Sequence, residues 1–203
     1  MKIVVFISGR GSNLKALLDD ENGYKVSHVI CNKREAKGLQ LAQNRGVTNT
    51  YIDWSNSKQA ESIASTVIEE ETPGLIVLAG FMRILSTEFT AKYKNKIINI
   101  HPSLLPDYPG LNTHQRVLDD NKSMHGASVH FVDGLLDHGQ VISQTHIKVQ
   151  PNDTATSLAN KLISKEHKLL THTVGLIANQ QLNWENNSLH YTGKPLEAPL
   201  VIK

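Results

Sequence analysis

Cysteine is almost absent from this chain: Cys31 is the single cysteine in 203 residues. One cysteine cannot form an internal disulfide, and no Cys-x-x-Cys pair is present to hold zinc or carry out redox chemistry. The composition therefore fits a reducing compartment. Because Cys31 ends a predicted strand and has no histidine beside it, we interpret it as a small core residue rather than a nucleophile.

Long hydrophobic runs and a strong net charge are also missing. The N-terminal segment MKIVVFISGRG has a five-residue apolar run, too short for a signal-peptide core or a membrane span. The formal net charge of +2 is small and dispersed, whereas a nucleic-acid footprint needs clustered Lys and Arg. We therefore expect a cytoplasmic protein that acts on small molecules, phosphorylated ones included, with no nucleic-acid or membrane partner.

Short apolar runs alternate with segments of helical periodicity through most of the chain. The first run, residues 3–7, is β-branched and ends at Ser8-Gly9, which is typical of a strand buried on both faces of a parallel sheet. Leucines at helical spacing follow, with Ser12 or Asn13 as the expected helix cap. The alternation predicts an α/β fold with a mostly parallel central sheet and helices on both faces, similar to a Rossmann fold. Further predicted strands cover 26–31, 49–52, 75–78, 96–101, 127–132 and 141–149, the last two antiparallel, and further helices cover 38–45, 58–71, 86–93, 113–120 and 154–178.

Nothing in the composition divides the chain into separate units. It contains no low-complexity run, charge block or internal repeat, and 203 residues are enough for one well-cored α/β domain. We therefore predict a single domain over residues 1–203. Beyond about residue 182 we expect a turn and a peripheral strand.

The segment GRGSN, residues 9–13, follows the first predicted strand. Its two glycines allow a sharp turn, and the helix behind them presents free N–H groups, so Gly11, Ser12 and Asn13 would cradle a phosphate while Arg10 adds charge. The alternative is a plain tight turn. The segment lacks the third glycine of a dinucleotide fingerprint and the Lys-Ser/Thr pair of a P-loop, which disfavours NAD and ATP.

The stretch IINIHPSLLPDYPG, residues 97–110, combines a strand with a proline-stiffened loop. Asn99 and His101 are two residues apart, so they share one face at the carboxyl end of the strand and would act on one substrate atom. The alternative is a capped strand whose Asn and His bond nearby backbone. Ser103 follows Pro102 in a rigid turn and is disfavoured as a nucleophile.

Three other features have an ordinary structural interpretation when taken alone. Asp137 lies in a Gly-containing turn and is by itself a turn residue, although a turn folded over the sheet edge would pair it with His101 and raise the pKa of that imidazole. Glu166 is expected on a solvated helix face. His125 and His130 are five residues apart, so in one strand they face opposite sides, and we predict no metal site.

Five motifs in order, ISGRGSNL, LAGFMRIL, NIHPSLLPDYPG, HGASVHFV and LDHGQVI, resemble the phosphoribosylglycinamide formyltransferase family over residues 1 to about 182. Methionyl-tRNA formyltransferase and formyltetrahydrofolate deformylase share NIHPSLLP, but the early GSN and the compact length favour the glycinamide enzymes. The resemblance implies transfer of the formyl group of 10-formyltetrahydrofolate, a co-substrate, to the amine of phosphoribosylglycinamide in purine synthesis. It implies a monomer or weak homodimer and no metal.

The resemblance also assigns roles to residues of this chain. It divides the domain into a phosphate-binding half, about 1–95, a folate-binding and catalytic half, about 96–182, and a tail, 183–203. The chain departs from the usual family pattern at Arg10, at Asp107 and at His138-Gly139-Gln140. The implied roles are catalysis for Asn99, His101 and Asp137, phosphate and ribose binding for Gly11, Ser12, Asn13 and Glu166, and folate binding for Lys58, Met82, Arg83, Ile84, Leu85 and Asn99.

Two rival functions use the same residues. In a formyltetrahydrofolate hydrolase, water would replace the amine, and the protein would consume formylfolate without an acceptor. In a non-catalytic nucleotide-binding module, GRGSN would be the ligand site, and Asn99 and His101 would be structural.

Overall fold

The structure is a computed structural model and describes residues 1–20, 22–185 and 188–203. Its strands are β1 (Lys2–Ile7), β2 (Lys25–Cys31), β3 (Thr48–Tyr51), β4 (Leu75–Leu78), β5 (Ile97–His101), β6 (Met124–Phe131), β7 (Val141–Lys148), β8 (Leu182–Glu185), β9 (Ser188–Tyr191), β10 (Lys194–Pro195) and β11 (Leu200–Val201). Its helices are α1 (Ser12–Asp19), α2 (Lys37–Asn44), α3 (Ser57–Glu71), α4 (Thr87–Lys92), α5 (Thr113–Asp119) and α6 (Ala155–Ala178).

One large sheet organises the molecule. Its strand order is β11-β7-β6-β5-β4-β1-β2-β3. The five neighbouring strands β5, β4, β1, β2 and β3 pair in parallel. Strand β6 pairs antiparallel with both β5 and β7. The predicted mostly parallel sheet is confirmed, as is the antiparallel pair, although β6 begins three residues earlier than the sequence pattern indicated.

Two apolar layers cover the faces of this sheet. Side chains of β1 alternate between them: Val5 and Ile7 pack in a layer with α1, α2 and α6, whereas Val4 and Phe6 pack in a layer with α3 and α4. All five residues from Ile3 to Ile7 are buried. Burial on both faces explains why this strand is a continuous apolar run, and the predicted helices on both faces are confirmed.

The C-terminal residues contain more strands than the sequence pattern indicated. Instead of a turn and one strand, β8, β9 and β10 form a small antiparallel sheet. The last strand, β11, pairs with β7 at the edge of the large sheet, where Leu200 lies opposite Ser143. Among the helices of the described residues, none is long and apolar enough to cross a membrane.

Candidate active site

The candidate site lies where the parallel strands end. Within β5, Ile98 and Ile100 pack in the α1, α2 and α6 layer, so Asn99 and His101 face the opposite side of the sheet. This is the edge at which ligands bind in open parallel sheets. The loops after β1 and β4 end at the same edge.

A distant loop brings Asp137 to this point. Its Oδ2 atom lies 3.3 Å from Nδ1 of His101, and its Oδ1 atom lies 3.4 Å from Nδ2 of Asn99. The backbone N–H of Gly110 donates a 2.8 Å hydrogen bond to Oδ2. The structure thus assembles the three residues that the sequence analysis placed together, although 36 residues separate the last two along the chain.

The imidazole of His101 lies between two oxygen acceptors. Its Nε2 atom is 2.9 Å from the carbonyl oxygen of Tyr108, while Nδ1 faces Asp137. A protonated ring would satisfy both oxygens, yet burial lowers the pKa of His101, and the Tyr108 carbonyl and the Asp137 charge offset this only in part. Asp137 therefore raises the pKa of His101 as expected, but desolvation outweighs this charge and the net shift is downward.

The carboxylate of Asp137 is held in its charged form. Burial alone would raise its pKa, but the hydrogen bond from the Gly110 N–H and the nearby imidazoles lower the pKa below its usual value. The backbone of Asp137 has φ 49°, a left-handed conformation that is uncommon for a residue with a side chain. The loop therefore holds an ionised carboxylate in a specific position.

Sequence reasoning missed one member of this cluster, His130. In the pairing of β5 with β6, His130 lies directly opposite Asn99. Its Nδ1 atom is 2.8 Å from the Phe131 carbonyl oxygen and donates to it, so Nε2 accepts from Asn99 Nδ2 at 3.1 Å. His130 thereby orients the Asn99 amide. The signal for this contact is the antiparallel register, which the strand pattern alone does not fix.

A small cavity opens beside this cluster, between the loop after β4 and the Asp137 loop. Its volume is about 90 Å³, and Asn99 and His130 form part of its wall. Of the predicted folate-binding residues, Arg83, Ile84 and Leu85 line it, whereas Met82 does not. Ile84 and two leucines of the opposite loop, Leu135 and Leu136, are more than half exposed at its rim.

The loop after β1 has the form of an anion site. Gly11 is the N-cap residue of α1, with φ 79°, and no side chain caps the helix. The expectation that Ser12 or Asn13 caps it is wrong, because the helix already begins at Ser12 and the preceding turn needs a left-handed residue. The first N–H groups of α1 are consequently left free of side-chain caps, as phosphate binding requires.

Glu166 differs most from its expected setting. It is half-buried on the stripe of α6 between Leu162 and Leu169, and not on a fully solvated face, because α6 packs against both the sheet and α1. Burial raises the pKa of Glu166 to about 7. Oδ1 of Asn13 and Nε2 of His167 are also buried without a partner among the described residues.

The remaining predicted positions lie at the surface or have structural roles. Lys58 is exposed in the first turn of α3 and makes no hydrogen bond or ion pair within the described ranges. Ser103 is fully buried and its hydroxyl donates to the Asp107 carbonyl at 2.6 Å, which agrees with its rejection as a nucleophile. Nδ1 of His138 lies 3.1 Å from an Asp133 carboxylate oxygen. In the part of the chain that the structure describes, no group of three or more His, Cys, Asp or Glu is arranged to hold a metal ion.

Comparison with known proteins decides which chemistry this site belongs to. The model of the formyl transferase family matches residues 1–174. The phosphoribosylglycinamide formyltransferase of Escherichia coli strain K12 is 37% identical over 203 residues, covering 97% of this chain and 96% of that protein. The chain belongs to the phosphoribosylglycinamide formyltransferase family. It is therefore a formyl-transferring enzyme of purine biosynthesis, as the resemblance predicted.

Other relatives support the same assignment. The human trifunctional purine biosynthetic protein adenosine-3 is 37% identical over 185 residues, which are 88% of this chain and 18% of that protein. The solved phosphoribosylglycinamide formyltransferase of Coxiella burnetii, a complex with CHES, aligns with a TM-score of 0.94 at 37% identity, covering 100% of this chain and 99% of that one. That of Anaplasma phagocytophilum aligns with a TM-score of 0.91 at 36% identity, with the same coverage.

Proposed function

We propose that this enzyme transfers the formyl group of 10-formyltetrahydrofolate directly to the amine of phosphoribosylglycinamide, with Asn99, His101 and Asp137 as its catalytic residues. The observation that carries the proposal is the position of Asp137, whose two carboxylate oxygens reach His101 and Asn99 at 3.3 and 3.4 Å. Among the described residues, His101 contacts the Tyr108 carbonyl and Asp137 and is not paired with a Ser or Cys nucleophile, which favours direct attack without an acyl-enzyme.

The reaction begins when the amine nitrogen attacks the formyl carbon. The carbonyl π electrons move to oxygen, giving a tetrahedral intermediate with a negative charge on oxygen and a positive charge on the attacking nitrogen. The Asn99 amide donates a hydrogen bond to this oxygen, and so does an N–H of His101 once it leaves its acceptor in the free enzyme, which is Asp137 or the Tyr108 carbonyl. One such donor typically contributes about 3 to 4 kcal/mol. In the free enzyme, the Asn99 N–H at 3.4 Å from Asp137 makes a long bond that it can exchange for the oxyanion.

Collapse of the intermediate restores the carbonyl and breaks the bond from carbon to N10 of the folate. One proton leaves the amine and one reaches N10, so the products are the formylated amide and tetrahydrofolate. His101 relays this proton, directly or through water. Burial keeps its pKa low in the free enzyme, but a negative oxygen forming beside the ring favours the protonated imidazole, and Asp137 adds to that effect.

The two substrates enter from opposite sides of the trio. The ribonucleotide phosphate binds at the N-terminus of α1, where Gly11, Ser12 and Asn13 supply backbone N–H groups, and the Glu166 carboxylate accepts hydrogen bonds from the ribose hydroxyls. The flat folate ring binds against residues 83–85. A bicyclic ring needs more space than about 90 Å³, so the exposed residues of the Asp137 loop move outward when folate enters.

One assay tests the proposed reaction against its rivals. Purified enzyme is mixed with 10-formyltetrahydrofolate, with and without phosphoribosylglycinamide, and tetrahydrofolate is measured by absorbance while the formylated product is measured by chromatography. We expect equal amounts of both products when the acceptor is present and little turnover when it is absent. Folate consumption that does not depend on the acceptor would identify a hydrolase, and binding without turnover would identify a non-catalytic module. A cytoplasmic location and a monomer or weak homodimer remain predictions from the sequence.

A further inference from the structure

The loop between β4 and α4, residues 79–86, forms one wall of the proposed folate cavity through Arg83, Ile84 and Leu85. Arg83 and Ile84 are exposed. In the described part of the chain, the backbone N–H and C=O groups of these three residues make no hydrogen bonds within the protein. They are therefore free for the edge of a flat heterocycle, but nothing in the segment itself fixes where they point.

Two buried side chains fix the ends of this segment. At its start, the Ser8 hydroxyl oxygen accepts the Met82 N–H at 2.7 Å. At its end, one carboxylate oxygen of Glu61 accepts the Ser86 N–H and the other accepts the Ser86 hydroxyl, both at 2.6 Å. Ser8 and Glu61 are 2% and 8% exposed, so water competes little with these contacts.

The position of Glu61 is unusual for a carboxylate. It lies on α3 beside Ala60 and close to Ala64, both of which belong to the apolar layer between α3 and the sheet. The helix cap does not require it, because Ser86 by itself caps α4 by accepting the Phe89 N–H at 3.1 Å. A buried charge is costly unless hydrogen bonds compensate it, and here its two hydrogen bonds end on the loop that borders the cavity.

We propose that Glu61 is a positioning residue for the folate co-substrate, acting with Ser8 to hold residues 83–85 in the conformation that binds the ring. This inference rests on the proposed function. Neither side chain touches the reacting atoms. They act through the backbone, whose free N–H and C=O groups must match the donors and acceptors of the ring to within a fraction of an ångström.

The expected signature is a change in folate binding alone. Loss of the Glu61 contact lets the segment sample other conformations, so the ordering of residues 83–85 then has to occur on binding and weakens affinity. The ribonucleotide site at α1 and the His101 cluster do not contact Glu61. The Michaelis constant for the acceptor and the turnover number should therefore stay close to those of the unmodified enzyme.

The test compares four single variants and one double variant. The single variants are Glu61→Gln, Ser86→Ala, Ser86→Thr and the control Glu70→Gln, which changes an exposed glutamate of the same helix. We expect Glu61→Gln and Ser86→Ala each to raise the folate KM roughly tenfold, with kcat and the acceptor KM changed less than about twofold. Ser86→Thr keeps the hydroxyl, so its folate KM should stay close to that of the unmodified enzyme. Glu70→Gln should not alter the folate KM. If Glu61 and Ser86 act through one contact, the double variant Glu61→Gln with Ser86→Ala should be little worse than either single variant.

Thermal unfolding and direct binding of tetrahydrofolate by calorimetry complete the test. A folded Glu61→Gln variant with an unchanged tetrahydrofolate Kd would overturn the proposal, as would a parallel rise in both Michaelis constants. Tetrahydrofolate binding needs no turnover. An unmodified enzyme that binds tetrahydrofolate but transfers no formyl group would refute the proposed function. The role of Glu61 would then be decided by the Kd values alone.

Discussion

The two ends of the proposed active site differ in whether their buried polar groups have hydrogen-bond partners. At the catalytic end, Asn99, His101, His130 and Asp137 bond to one another and to backbone, and none of them leaves a buried nitrogen or oxygen without a partner among the described residues. At the α1 and α6 end, buried atoms of Asn13 and His167 have no partner within the described ranges, and burial desolvates the Glu166 carboxylate.

The difference shows that the polar groups of the two ends are in different states before a substrate binds. The proposed catalytic groups are held near their working positions before substrate arrives, which reduces reorganisation in the chemical step. The other end keeps unsatisfied groups that destabilise the free protein by the cost of an unmade hydrogen bond, and a ligand with matching donors and acceptors recovers that cost on binding. Substitutions should therefore affect turnover at the first end, and substrate affinity and protein stability at the second.

The largest expected effect is at the catalytic end. Asp137→Asn keeps the shape of the side chain and tolerates the left-handed backbone, but it removes the charge beside His101. We expect kcat to fall by about two to three orders of magnitude, and His101→Ala to lower it by a similar factor. Steady-state transfer rates measure this, and unfolding temperatures close to that of the unmodified enzyme would show that the fold is intact.

Asp107→Asn is the matched control for this substitution, because it neutralises an exposed aspartate of another loop near the site. Its turnover should be nearly unchanged. Near-normal turnover in both Asp137→Asn and His101→Ala would refute the roles assigned to the cluster.

The next largest effect is expected at Gly11, in the loop proposed to bind the phosphate. In Gly11→Ala, the new Cβ atom would lie 2.8 Å from Cα of Gly38, at a φ of 79° that side chains rarely adopt. Strain of this kind costs about 1 to 3 kcal/mol, so we expect the KM for phosphoribosylglycinamide to rise roughly tenfold or more while the folate KM stays constant. Gly46→Ala is the control, because Gly46 also has a positive φ but nothing lies within 4 Å of the added atom. An equal rise of both Michaelis constants in Gly11→Ala would contradict the division between the two ends.

Substitution of Glu166 should change the free energy of unfolding in a way that depends on pH. Its pKa is raised to about 7 in the folded protein, so between pH 4.5 and 7 the folded state binds more protons than the unfolded state, and stability falls as pH rises. At pH 8 most of the Glu166 side chains carry this half-buried charge, and Glu166→Leu should raise the unfolding free energy by about 2 kcal/mol. Urea unfolding at pH 8 and pH 4.5 measures this gain, which should nearly vanish at the lower pH.

The same variant should lose affinity for the ribonucleotide, because the leucine cannot accept hydrogen bonds from ribose hydroxyls. Glu70→Leu, at an exposed position of α3, should show neither effect. A Glu166→Leu variant that is no more stable at pH 8 would mean that the carboxylate is compensated in the folded protein.

The sequence was informative where local patterns determine the structure. Apolar runs predicted the buried strands, and the spacing of Asn99 and His101 predicted their common face, because side chains alternate along any strand. His130 escaped prediction because its role depends on the register of β5 with β6, and Glu166 because only tertiary packing turns its helix face toward the core. The net lowering of the His101 pKa was not predicted either, since burial depends on the complete fold while the effect of a charged neighbour can be inferred from sequence.

The smallest expected effect concerns His138, one of the positions where this chain departs from the usual family pattern. It directly follows Asp137, yet its side chain is 67% exposed and pairs at 3.1 Å with an Asp133 carboxylate that is itself 45% exposed. Exposed pairs of this kind contribute about 0 to 1 kcal/mol, so His138→Ala should change kcat and both Michaelis constants by less than about threefold. Adjacent residues would then differ by orders of magnitude in effect, because one is fixed inside the cluster and the other lies in solvent. A drop in kcat of tenfold or more would instead show that the Asp133 pair holds Asp137 in position, and adding Asp133→Asn to His138→Ala should then cause no further loss.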